Sequence, residues 1–144
     1  MKHALASLAV ILGAIVLTPA CWSAELMPPE VARTLDITSF PNSIRPGLRP
    51  RTKTLAQNGF TEVDPTKGDA SSVEVCQPDR SWLFKITVRR SEGDKAVVCI
   101  LDQVLNGGTY WSLEPGELQR GRDGLLRATS RAVSGPRCHR LPKL

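Results

Sequence analysis

Between Trp82 and Arg89 the chain alternates without a break, with Trp82, Phe84, Ile86 and Val88 set against Leu83, Lys85, Thr87 and Arg89. A β-strand sends successive side chains to opposite faces, while a helix returns to one face about every 3.6 residues. A period of two therefore demands a strand with one buried face. The turn signal Ser91-Glu92-Gly93-Asp94 follows, and then Ala96 to Leu101 carries no polar residue. Such a run suits a central strand covered on both faces. These two segments commit the chain to a sheet.

The neighbouring segments extend that sheet. Val73 and Val75 alternate with Glu74, and Phe60-Thr61-Glu62-Val63 follows the turn pair Asn58-Gly59. Asn106-Gly107-Gly108 is a turn, and Thr109 to Leu113 reads as a strand ended by Pro115-Gly116. Leu118 to Arg120 and Leu125 to Ala132 flank the hairpin signal Gly121-Arg122-Asp123-Gly124. Short strands with turns about every 10 residues predict a mostly β fold, a small antiparallel sheet arranged as a barrel or a sandwich. Residues 61–144 make up this β domain.

The stretch 25–60 differs. Pro28, Pro29, Pro41, Pro46 and Pro50 remove backbone donors and break ladders. One short helix from Pro29 to about Leu35 fits, because proline is tolerated in a first turn and Glu30 suits the helix dipole. Arg51 to Ala56 reads as a strand, and the rest wraps the domain as part of one globular unit.

The start of the chain reads as an export signal. Lys2 precedes an apolar run from Ala4 to Leu17, then small residues around Ala20 and Ser23. Cleavage after residue 20 and cleavage after residue 23 both fit, and a lipoprotein site at Cys21 is a third option. The run is shorter than the roughly 20 residues a membrane span needs. The expected product works in the periplasm or is secreted, with no transmembrane span.

An oxidising compartment favours cystine formation. The cysteines are Cys21, Cys76, Cys99 and Cys138. Cys138 lies in a Gly/Pro-flanked tail that gains from a staple, so Cys76 or Cys99 is the expected partner of Cys138.

Chemistry is constrained by the single histidine after the leader, His139. A metal site needs three or four Cys, His or carboxylate ligands, and neither C-x-x-C nor H-x-x-x-H occurs. Cys138 and His139 are adjacent, so in an extended tail they point apart and make a poor nucleophile pair. No G-x-S-x-G elbow supports serine chemistry. Carboxylate catalysis needs no histidine, and Asp102, at the end of the most apolar strand, is its best candidate. No cofactor motif is present. The full chain has a net charge of +5, with seven basic residues and one acid from Leu118 to Leu144. That suits a protein partner or an anionic envelope component, while the lack of a dense basic run argues against nucleic acid.

Gly107-Gly108-Thr109-Tyr110, the Gly-Arg-Asp-Gly turn and the late Cys138 are loosely similar to the ending of the small periplasmic lysozyme inhibitors. The resemblance covers about a quarter of the chain, Asn106 stands in place of that family's serine, and the second half of its signature is missing. It implies a β-barrel that inserts a loop into an enzyme. The sequence as a whole is read as a small non-catalytic binding module, inhibitor-like, with Tyr110, Trp111, Arg120 and Arg122 as the contact residues. A small envelope hydrolase using carboxylates and a lipid-anchored assembly factor are the alternatives.

Overall fold

The computed structural model describes residues 25–40, 51–64, 67–129 and 138. The segment read as an export signal, Cys21 and His139 lie outside them. Six antiparallel strands form one meander: β1 (Glu62–Asp64), β2 (Ser72–Cys76), β3 (Trp82–Glu92), β4 (Lys95–Val104), β5 (Trp111–Arg120) and β6 (Leu126–Ala128). Each pairs with the next in sequence order. The mostly β expectation holds, but the single sheet stays open, so neither a closed barrel nor a second sheet is formed among the described residues. Its outer strands β1 and β6 have three residues each.

The alternation of β3 fixes the faces. Phe84 and Ile86 pair across with Val75 and Val73 on β2 and with Asp102 and Ile100 on β4. This inner face carries the core: Val73, Val75, Phe84, Ile86, Ala96, Val98, Ile100 and Leu118 are buried. Each large apolar side chain taken out of water contributes about 1.5–3 kcal/mol. A bulge between Val88 and Arg90 ends the strict alternation.

The proline-rich stretch closes the inner face. The helix α1 (Pro28–Thr34) starts on its prolines, with Glu30 in the first turn and Arg33 in the last. It buries Val31 and Ala32 in the same cluster as Leu35, Ile37, Leu55, Phe60 and the strand residues. Phe60 meets Phe84 edge to face at 4.8 Å.

Two strand expectations fail for visible reasons. Arg51 to Ala56 forms no strand: Arg51 has φ 65, and the Gln57 side-chain oxygen accepts from the amides of Lys53 and Thr54 ahead of a 3-10 turn over Ala56–Asn58. Pro115-Gly116 does not end β5, which runs on to Arg120. The amide of Val104 donates to the Tyr110 carbonyl, and bonding rungs then alternate along β4 and β5. Pro115 and Cys99 form a non-bonded rung, so the missing donor faces away from β4 and costs no bond to it. Gly116 lets the Phe40 ring pack close to β5, since an added Cβ would lie 3.2 Å from it, a tight contact.

Cys99 and Cys138 lie at disulfide distance, with Cα atoms 5.7 Å apart and a sequence separation of 39. Closing a loop of that size is worth about 4 kcal/mol in the chain-entropy account. Cys76 is a free, buried thiol. No helix among the described residues is long and apolar enough to cross a membrane.

Candidate functional site

Strand β5 separates the four contact residues read from the sequence. Trp111 and Arg120 stand at its two ends, which lie about 30 Å apart at the usual strand rise. Arg122 sits beyond Arg120 in the turn to β6, exposed. The structure therefore does not gather Tyr110, Trp111, Arg120 and Arg122 into one surface.

At the basic end the charges are engaged within the fold. Arg120 pairs with Glu30 on α1, reaches Asp94 at 3.3 Å in the β3–β4 turn, and donates to the Gly124 carbonyl at 3.0 Å. Arg127 pairs with Asp123 and, at 3.2 Å, with the buried Asp36. Its hydrogen bond holds the Asp123 carboxyl well below the usual range. These arginines tie helix, turn and edge strand to the sheet. A shallow hollow of about 50 Å³ lies nearby between Arg90, Glu92, Lys95, Ala96, Val97 and Glu117, with room for a water or two.

The other end is built differently. Tyr110 and Trp111 are neighbours in extended backbone and so face opposite ways. Tyr110 follows the phase of Val104 and Asp102 on the inner face, while Trp111 pairs with Gln103 on the outer face. The Asp102 carboxylate, 1% exposed, accepts from the Trp82 indole N–H through one oxygen and from the Tyr110 hydroxyl, at 3.3 Å, through the other. The Trp82 and Tyr110 rings lie 5.5 Å apart. Desolvation first, then the charge of Asp102, pushes the Tyr110 phenol up to about 12, with Glu114 adding to the effect. Trp82 is half-buried and packs against the core, as its phase suggests.

Outward from this cluster, Leu105 is 43% exposed and Trp111 46%. The intervening residues Asn106 to Thr109 are exposed. Half-buried Leu83, Leu101 and Leu113 continue the apolar surface along the outer face. Leu105 was not singled out by sequence reasoning. Its signal is compositional: Gln103 to Leu113 contains no charged residue, a long gap in a chain that is 23% charged.

Asp102 and Glu114 share the inner face on adjacent strands, each two rungs from the other's partner. They stand side by side around Tyr110, an arrangement unlike two acids facing each other across a cleft. No group of three or more His, Cys, Asp or Glu side chains able to hold a metal occurs among the described residues. Compared with known proteins, the chain matches no family model, no curated protein and no solved structure.

Proposed function

We propose that this chain is an exported, non-catalytic binding module that takes a partner protein on the outer face of its sheet, around Trp111 and Leu105. The observation that carries this reading is the pairing of two exposed large apolar side chains at a sheet end whose sequence has no charge from Gln103 to Leu113. Aromatic anchors of this kind dominate interface energies, and a charge-free surround avoids the desolvation cost of burying ions. Export rests on the leader pattern, and the Cys99–Cys138 pair suits an oxidising compartment. An anionic envelope component would instead engage Arg122, which is exposed and has no ion pair among the described residues. The hydrolase alternative is disfavoured by the burial of Asp102, whose oxygens already serve Trp82 and Tyr110.

A photocrosslinking residue placed at position 105 in the exported protein tests the reading. A single protein adduct is expected, and adding Trp111→Ala should weaken capture about thirtyfold while the fold stays within about 1 kcal/mol of the parent. Crosslinks no stronger than at Glu62, on the far edge of the sheet, would sink it. A collapse in stability on Trp111→Ala would assign Trp111 to packing.

A further inference from the structure

We propose that Asp102 is a positioning residue for the binding surface: fixed inside the sheet, its carboxylate holds Tyr110 inward and so presents Trp111 and the loop from Leu105 outward in one ready geometry. The inference deepens the docking reading above and rests on it.

The geometry builds the case stepwise. Asp102 lies in the ten-residue strand β4, which pairs with β3 on one side and β5 on the other, and is itself buried, so its position is set by the middle of the sheet. Its two oxygens hold two rings on different strands, Trp82 at the start of β3 and Tyr110 just before β5. Tyr110 is the last residue of the connection from β4, and its carbonyl accepts from Val104, the last residue of β4. The connection is thus clamped at both its base and its ring. Leu105 is tied as well, its amide donating to the Ser81 carbonyl at 2.8 Å. Gly107 has φ +88, and a Cβ at residue 108 would fall 2.4 Å from a Val104 methyl, so the turn is compact.

The consequence for Trp111 follows from strand geometry. With Tyr110 committed to the inner face, the next side chain must stand on the outer one. A surface whose anchors are already ordered loses less entropy when a partner docks. A buried carboxylate is an expensive group to keep unless it fixes something, and here it fixes the one aromatic next to the exposed tryptophan.

The exported protein carrying Asp102→Asn, and separately Tyr110→Phe, provides the test without any partner. Amide exchange over residues 105–111 should quicken about ten- to a hundredfold in Asp102→Asn, and by less in Tyr110→Phe. Exchange at Val73, Val75, Phe84 and Ile86 should stay close to the parent. Tyr110 is the only tyrosine, so its ionisation can be read by absorbance, and in Asp102→Asn it should fall from about 12 toward the ordinary value. Acceleration spread evenly over the sheet, or none at 105–111 in either variant, overturns the proposal. Should Asp102→Asn fail to fold, Tyr110→Phe alone decides through the same local exchange. If Trp111→Ala abolishes crosslinking while both variants exchange like the parent, the docking reading stands and the positioning role falls.

Discussion

The two ends of β5 solve opposite problems with the same strand. At the Arg120 end, charge is spent on assembly: Arg120 and Arg127 bind α1, the β3–β4 turn, the buried Asp36 and the β6 hairpin. At the Trp111 end, one buried carboxylate orders two rings, and the surface outside is uncharged, aromatic and aliphatic. The density of arginines in the sequence suggests that the basic end meets a partner. Of the three arginines described there, Arg120 and Arg127 are turned to neighbours within the fold and Arg122 is exposed, while Leu105 and Trp111 stand exposed at the other end. A basic run is therefore a poor guide to a binding surface until its ion pairs are known.

Three perturbations can break or sharpen this contrast. The largest effect is expected from Leu118→Ala, a fully buried position two residues before Arg120. It should cost about 2–5 kcal/mol in denaturant unfolding, several times the cost of Trp111→Ala. Equal costs would mean that both ends are core and would remove the contrast. Next comes Arg120→Ala, which abandons Glu30, Asp94 and a carbonyl; a loss of about 1–2 kcal/mol is expected against less than about 0.5 for Arg122→Ala in the adjoining turn. If both arginines cost equally little, the basic end is free to bind after all.

The smallest effects are in pH dependence, and the two ends should respond on opposite sides of neutrality. Asp123 has its carboxyl lowered by the Arg127 hydrogen bond, so its contribution is present above the ordinary carboxylate value and is lost as pH falls below about 4. Tyr110 has its phenol raised to about 12, so the folded state keeps the proton that the unfolded chain gives up near 10, and stability declines as pH climbs between those values. Unfolding midpoints followed across pH should show the acid loss shrink in Arg127→Ala, with Asp69 and Asp79 still lowered by their serine partners, and the alkaline loss shrink in Tyr110→Phe.

Much of the sheet could be read in advance because its signals are local. The alternation from Trp82 to Val88 and the apolar run from Ala96 to Leu101 give strands whatever lies around them. The helix over Pro28–Thr34 was legible from its prolines and Glu30 within a residue at either end. What failed depended on partners. Pro115 is harmless only because β4 bonds at the rungs on either side of it. Whether the sheet closes depends on β1 and β6, three residues each, and no periodicity in the sequence speaks to that. The site was half legible. Tyr110 and Trp111 are visible as aromatics, yet their opposite faces emerge only from the β4–β5 register, and Asp102 gains its meaning only when Trp82, 20 residues earlier, is brought beside it.

Pro115 also has a consequence for the chain in crowded surroundings. β6 pairs only with Leu118 to Arg120, so among the described strands none lies along the far side of β5 from Trp111 to Glu114. An unpaired strand flank beside exposed apolar side chains is in general the template on which amyloid-like stacking begins. On that flank Pro115 has no hydrogen to offer and a ring where an incoming backbone would need to sit. The residue that looked like a full stop in the sequence is thus a poor place for a further strand to add to the part of β5 that the described strands leave unpaired.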